Sequence, residues 1–145
     1  MDLNKAREGN LRQLFLHIGF NKTGSTSLQK ALFVNASTLG HRGILYPNDV
    51  DAPYVQRWQH VPLAAAVPGC RLEWVTPKKM ATLNDAYNNL HIKLRSSDHH
   101  TVILSSEGFG ETGMGAGKLK WLKNQFSEFS VKIVALFVWR SCRNG

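Results

Sequence analysis

The sequence LHIGFNKTGSTSLQKAL, residues 16–32, changes from one structural pattern to another around two glycines. Before the glycines, residues 14–18 form a nearly continuous apolar run, which is typical of a strand buried on both faces. After them, Leu28, Ala31 and Leu32 follow helical spacing, and Gly40 is a plausible end to that helical segment. A buried strand, a glycine-containing turn and a helix in this order predict an α/β domain with a mostly parallel sheet.

The rest of the chain continues this alternation of strands and helices. Short apolar runs at residues 43–46, 101–104 and 131–138 predict three further strands, the last of them buried. Residues 47–76 contain four prolines and no clear period, so we expect a long, partly irregular excursion there. No internal repeat interrupts this order.

Two amphipathic helices are predicted in the second half of the chain. Thr76 is suited to cap the first of them, and Pro77 suits its first position. Its apolar stripe consists of Met80, Leu83, Tyr87, Leu90 and Leu94. The second helix follows a glycine-rich stretch and places Leu119, Leu122 and Phe126 on one face.

Length and composition indicate one globular domain, and the charge suggests an anionic partner, with solvated helix faces as the alternative interpretation of the basic residues. The chain has 145 residues, 43% of them hydrophobic, and a formal net charge of +8. No apolar run reaches the length of a membrane span. The polar N-terminal sequence MDLNKAREGNLRQ and the presence of only two cysteines predict a cytoplasmic protein. The basic residues are dispersed and lack interleaved aromatic residues, so nucleic acid is not expected to be the partner.

The turn between the first strand and the first helix has the features of an anion site. Such a turn directs free backbone N–H groups and the positive end of the helix toward one point. Gly19 and Gly24 allow a close approach of the backbone to a ligand, and Lys22 adds a positive charge. Three hydroxyl residues, Ser25, Thr26 and Ser27, open the helix.

The position of the lysine distinguishes this turn from an ATPase-type loop. In the pattern G-x-x-x-x-G-K-[ST] the lysine directly follows the second glycine. Here Ser25 follows Gly24, and Lys22 precedes that glycine by two residues. An ATPase-type site also uses a metal held by an Asp on a second strand, and we find no apolar strand ending in Asp. An ATP-dependent small-molecule kinase is therefore kept only as an alternative.

The turn resembles the 5′-phosphosulfate-binding loop of sulfotransferases, which use 3′-phosphoadenosine 5′-phosphosulfate (PAPS) as donor. That loop has the form G-x-x-[KR]-[ST]-G-[ST]-[ST]-[ST]-L, and residues 19–28 match it. RGILYP at residues 42–47 and VILSSEGF at residues 102–109 are similar to segments of a bacterial branch of the family. The resemblance implies a three-layer, P-loop NTPase-like fold, with a mostly parallel central sheet flanked by helices. It also implies that residues 1–145 form a single domain lacking the C-terminal portion of the family.

The resemblance implies a set of donor-binding residues. Lys22 is implied to stabilise the departing phosphate at the bridging oxygen, which is electrostatic stabilisation of the transition state. An arginine at the end of a later strand is implied to bind the 3′-phosphate, and the alignment leaves either Trp139 or Arg140 at that position. The implied donor-binding residues are Gly19, Phe20, Asn21, Lys22, Thr23, Gly24, Ser25, Thr26, Ser27 and Arg140.

Two residues are candidates for the base that activates the acceptor. Glu107 follows a predicted strand, at the edge where open α/β sheets bind ligands, but a capping or loop role is open to it as well. His60 is the rival, although a structural or surface role is favoured for it. Ser105 and Ser106 lack a nucleophile-elbow pattern and are interpreted as a polar strand end. No metal is expected, because the neighbouring side chains of Asp98, His99 and His100 diverge and because a sulfuryl group carries less charge than a phosphoryl group.

The sequence therefore predicts transfer of a sulfuryl group from PAPS to a hydroxyl or amine, with adenosine 3′,5′-bisphosphate as the product. The acceptor stays open among carbohydrate, lipid and small-molecule classes, and so does the oligomeric state. The early end of the chain keeps a second alternative open, a catalytically impaired nucleotide-binding remnant of the family.

Overall fold

Four parallel strands in the order β2-β3-β1-β4 form the centre of the molecule. The computed structural model describes residues 11–19, 25–49, 57–69, 72–109 and 115–135. The strands are β1 (Arg12–Ile18), β2 (Ile44–Leu45), β3 (Thr101–Ser106) and β4 (Phe129–Ala135). The predicted α/β fold with a mostly parallel sheet flanked by helices is confirmed.

Helices connect these strands, and five of them have both ends within the described ranges. They are α1 (Ser25–Val34), α2 (Ala36–His41), α3 (Val61–Ala66), α4 (Pro77–Ser96) and α5 (Ala116–Gln125). The start of α4 follows its sequence signals, since the Thr76 side chain accepts a hydrogen bond from the Lys79 backbone N–H at 3.3 Å and Pro77 occupies the first turn. None of the described helices combines the length and the apolarity needed to cross a bilayer.

The main core lies on one face of the sheet. In the parallel register Leu14 is opposite Val102 and Leu16 is opposite Leu104, so the four side chains point to the same face. They belong to one buried cluster with residues of α3, α4 and α5. From the helices this cluster takes Leu63, Ala64, Leu90, Leu94 and Leu122.

The other face of the sheet is covered differently. His17 and Ser105 alternate with the core residues along β1 and β3, so they point away from the main core. There they meet Gln29 of α1, whose side chain is completely buried. Across the sheet, the chain moves from β1 to β2 in one direction, and from β2 to β3 and from β3 to β4 in the other direction. Because connections between parallel strands are right-handed, α1 then lies on one face of the sheet and α3–α5 lie on the other. The result is three layers, as in P-loop-like folds.

Two sequence predictions differ from the structure, and one is made more specific by it. Gly40 lies inside α2, and the residue with left-handed backbone conformation is Gly43, with φ of 77°. The partly irregular excursion predicted at residues 47–76 contains α3, which begins at Val61 with Pro62 in its first turn. The last strand was predicted to be buried, but β4 lies at an edge of the described sheet with Lys132 and Val134 exposed. Residues 136–138 of that predicted strand lie outside the described residues.

Candidate functional site

The carboxyl ends of β1 and β3 lie side by side and hold the start of the glycine turn. Ile18 is opposite Ser106 in the register of the two strands. Directly after this pair, the Gly19 N–H donates a hydrogen bond to the Ser106 carbonyl oxygen at 3.0 Å. The first residue of the predicted anion loop is therefore fixed to the end of β3.

The other end of the predicted loop is held by Glu107, the residue that follows β3. Thr26, in the first turn of α1, donates its hydroxyl proton to Glu107 Oε1 at 3.0 Å. The Glu107 backbone N–H donates to Gln59 Oε1 at 3.2 Å. Two consecutive residues, Ser106 and Glu107, thus hold the two ends of the segment from Gly19 to Thr26. The predicted base and a predicted phosphate-binding hydroxyl are in direct contact.

Several predicted site residues cannot be placed in this geometry. Lys22 and Arg140 lie outside the described residues, as do Phe20, Asn21, Thr23 and Gly24. Ser25 is the first residue of α1, and its side chain is also outside the described part. Ser27 is an exposed residue of α1. The roles implied for Lys22 and Arg140 stay predictions.

A buried polar cluster lies between β1, β3 and α1 and was missed by the sequence interpretation. Gln29 Nε2 donates to Ser105 Oγ at 2.9 Å, and the same oxygen lies 2.7 Å from His17 Nδ1. A consistent assignment has Ser105 accepting the proton of Gln29 and donating its own to His17. His17 Nε2 and Gln29 Oε1 are buried and have no hydrogen-bond partner within the described residues. The one signal in the sequence was a histidine inside an otherwise apolar strand.

The cluster joins the three elements that carry the site. His17 is near the end of β1, Gln29 is on α1, and Ser105 precedes the anchoring residues of β3. Burial lowers the pKa of His17, and the nearby charge of Glu107 raises it in partial compensation. The imidazole is therefore neutral at pH 7. Ser105 is completely buried, which fits its interpretation as a polar strand end.

His60 has a structural position close to the same strand end. Its Nδ1 accepts the Ser105 backbone N–H at 3.0 Å, and its Nε2 donates to the Pro47 carbonyl oxygen at 2.8 Å. The side chain is completely buried, and burial lowers its pKa to about 4. Both ring nitrogens are occupied, so this geometry favours the structural alternative for His60 over the role of a base.

Lys30 and Trp58 form a second feature that the sequence interpretation did not identify. Lys30 lies one helical turn after Thr26, on the same side of α1. Its Nζ is 4.7 Å from the centroid of the Trp58 ring, within the range of a cation–π contact. Gln59, the residue after Trp58, binds the Glu107 backbone, so the contact between Lys30 and Trp58 lies next to the Thr26–Glu107 pair.

Among the residues that the structure describes, no group of three or more His, Cys, Asp or Glu side chains could hold a metal ion. His99 Nδ1 lies 2.6 Å from Ser97 Oγ and 4.0 Å from Asp98 Oδ1, which is a local arrangement of neighbours along the chain.

Comparisons with protein-family models, curated proteins and solved structures give no match to this chain.

Proposed function

We propose that the protein is a sulfotransferase that uses PAPS as donor. An acceptor hydroxyl or amine attacks the sulfur as the bond between sulfur and the bridging phosphate oxygen breaks. Adenosine 3′,5′-bisphosphate leaves with the electron pair of that bond. The proton of the acceptor passes to a carboxylate, for which Glu107 is the candidate.

The contact between Thr26 and Glu107 carries this proposal. A loop that binds the phosphosulfate and a base that receives the acceptor proton must act at the same place, within hydrogen-bond reach of the reacting group. Thr26 Oγ1 and Glu107 Oε1 are 3.0 Å apart at the carboxyl edge of a parallel sheet. Open α/β sheets bind their ligands at this edge. The match of residues 19–28 to the phosphosulfate-binding pattern supports PAPS as the donor.

The proposal gives the other candidates distinct roles. Lys22 provides the positive charge that stabilises the departing phosphate. His60 supports the end of β3, because its ring already binds Ser105 and Pro47. The acceptor is a carbohydrate, a lipid or a small molecule, and the net charge of +8 favours acceptors that carry negative charge.

Calorimetry with adenosine 3′,5′-bisphosphate tests the donor site. We expect clear binding by the wild type and an affinity reduced about tenfold or more by Lys22→Ala, since a hydrogen bond to a charged group contributes ~1.5–3 kcal/mol. Lys120→Ala, at an exposed residue of α5, is the matched control and should bind as the wild type does. Equal affinities in all three proteins would contradict the proposed loop. Sulfuryl transfer from labelled PAPS then separates an enzyme from a binding remnant of the family.

The same contact also favours one second candidate, a Mg-ATP-dependent kinase. In ATPase-type loops a Ser or Thr hydroxyl and a carboxylate from a second strand hold Mg²⁺ together. Thr26 and Glu107 have this chemistry, with Glu in place of Asp. A thermal-shift comparison distinguishes the two functions. Stabilisation by ATP that requires Mg²⁺ supports the kinase, whereas stabilisation by adenosine 3′,5′-bisphosphate that is unaffected by EDTA supports the sulfotransferase.

A further inference from the structure

The contact between Lys30 and Trp58 places a positive charge at the same edge of the sheet as the candidate base. Lys30 follows Thr26 by one turn of α1, and helical side chains lean toward the N-terminus of their helix. The Lys30 side chain therefore extends toward the end of α1 that contacts Glu107. Its Nζ lies 4.7 Å from the centroid of the Trp58 ring. The residue after Trp58, Gln59, binds the Glu107 backbone at 3.2 Å.

The ring that holds this amine is itself held in place. The Trp58 indole Nε1 is buried, and the Trp58 carbonyl oxygen accepts a hydrogen bond from the hydroxyl of the buried Tyr46. A cation–π contact localises an ammonium group over the ring face, and the rest of the group stays in water. Lys30 is thus an exposed charge with a restricted position.

No carboxylate neutralises this charge within the described part of the chain. The ion pairs found there use Lys93, Arg95 and His99, and none of them includes Lys30. An ammonium group has three N–H donors, and the aromatic ring covers only one side of it. Donors of Lys30 are therefore left for an anionic oxygen that comes from outside the chain.

We infer that Lys30 selects acceptors that carry an anionic group, a carboxylate or a sulfate, near the hydroxyl or amine that is sulfated. This inference rests on the proposed function and names the class of its acceptor. The Glu107 carboxylate and the bound phosphosulfate both repel an anionic acceptor. Lys30 offsets this repulsion and donates a charge-assisted hydrogen bond to the anionic group. A neutral acceptor needs neither contribution.

The contact between Thr26 and Glu107 is compatible with this arrangement. Glu107 accepts one hydrogen bond from Thr26, and a carboxylate offers about four lone-pair sites, so sites are left for the proton of the acceptor. Glu107 receives that proton while Lys30 holds the anionic group. The acceptor is then held at two points, which determines which of its hydroxyl groups is placed for reaction.

Matched pairs of charged and neutral acceptors test the inference, with sulfuryl transfer from labelled PAPS as the measurement. One pair is p-nitrophenyl β-D-glucuronide and p-nitrophenyl β-D-glucoside, and the other is p-hydroxyphenylacetate and p-hydroxyphenylacetamide. We expect the wild type to have the higher kcat/KM for the charged member of at least one pair. Preference in the first pair alone assigns an acidic carbohydrate, and preference in the second alone assigns a small aromatic acid.

Two substitutions of Lys30 separate its charge from its packing. Lys30→Met keeps an unbranched side chain against Trp58 without the charge, and it should reduce the preference for the charged member about tenfold, through a higher KM. Lys30→Arg keeps both the charge and the ring contact and should preserve the preference. Lys120→Met makes the same change of charge at an exposed residue of α5 and is the matched control.

The outcomes distinguish this inference from a general effect of charge and from failure of the proposed function. Equal losses of preference in Lys30→Met and Lys120→Met would mean that net charge alone attracts the acceptor, and the role of Lys30 is overturned. The same follows if Lys30→Met changes both members of a pair alike. If the wild type binds adenosine 3′,5′-bisphosphate but sulfates neither charged probe, the acceptor inference fails alone. If the bisphosphate does not bind, the proposed function fails and this inference fails with it.

Discussion

His60 binds both backbone groups of Ser105, at a position where β2 is too short to pair with β3. The His60 N–H donates to the Ser105 carbonyl oxygen at 2.7 Å, and the Ser105 N–H donates to His60 Nδ1 at 3.0 Å. β2 pairs with β3 only through Thr101 and Val102, which lie four and three residues before Ser105. A backbone N–H and an imidazole nitrogen thus satisfy the two backbone groups that a longer β2 would otherwise bind.

Substitution of His60 should destabilise the fold strongly. His60→Ala removes a completely buried ring and leaves the Ser105 N–H and the Pro47 carbonyl oxygen unpaired. We expect a loss of about 3 kcal/mol in the free energy of unfolding, measured by urea denaturation. His100→Ala, at an exposed position, is the control and should change stability by less than about 0.5 kcal/mol. A loss no greater than that of the control would refute the structural role of His60.

Stability should fall in mild acid because three histidines are buried. Burial lowers the pKa values of His17, His60 and His91, that of His60 from its ordinary value of 6.5 to about 4. Below about pH 6.5 the unfolded chain binds protons at these rings that the folded chain does not, so stability increases with pH in this window. We expect the three neutral histidines to make their full contribution to stability above about pH 7. As the pH falls from 6.5 to 4, the titration of His60 alone should lower the free energy of unfolding by about 3 kcal/mol.

Urea denaturation at a series of pH values checks this expectation. His60→Gln removes one of the three titrating rings and should flatten the pH dependence between pH 6.5 and 4. A variant with the same slope as the wild type would show that His60 does not contribute to acid destabilisation.

Removal of the Ser105 hydroxyl should lower the free energy of unfolding more than removal of an exposed hydroxyl does. Ser105→Ala leaves the Gln29 amide and the His17 ring without their shared partner in a buried site. We expect a loss of about 2 kcal/mol, measured by chemical denaturation. Ser96→Ala, at an exposed residue in the last turn of α4, is the matched control. Equal effects of the two substitutions would mean that the buried cluster contributes nothing to stability.

Two glycine-to-alanine substitutions should have opposite effects. At Gly108 a Cβ would lie 2.9 Å from the Ala64 Cβ, so α3 and the end of β3 would have to separate. We expect Gly108→Ala to destabilise the protein by about 1–3 kcal/mol. Gly117, inside α5, has nothing within 4 Å of the added Cβ, and alanine there should stabilise the helix by ~0.5–1 kcal/mol. Thermal unfolding should show Tm shifts of opposite sign, and a rise in Tm for Gly108→Ala would contradict the close packing.

The fold was predictable where local patterns determine it. The apolar run of β1 and the Thr76-Pro77 start of α4 are periodic or capping signals carried by neighbouring residues, and both predictions are confirmed. The end of the first helical segment was assigned to Gly40, since glycine alone does not reveal its backbone conformation. β4 was predicted to be buried because an apolar run does not indicate whether the strand has a neighbour on each side.

The site was only partly predictable. Glu107 was identified by its place after a strand, and the structure brings it to Thr26. The cluster of His17, Gln29 and Ser105 joins residues separated by 76 or 88 positions in the chain. Isolated polar residues so far apart leave no periodic signal, and their contact follows only from the strand order.

Both ends of the segment from Gly19 to Thr26 depend on one short stretch of the chain at the end of β3. Gly19 and Thr26 are fastened to adjacent residues, Ser106 and Glu107, whose Cα atoms are about 3.8 Å apart. A displacement of these two neighbouring residues would therefore shift Gly19 and Thr26 in concert, so a substitution that moves the end of β3 would disturb both ends of the segment at once.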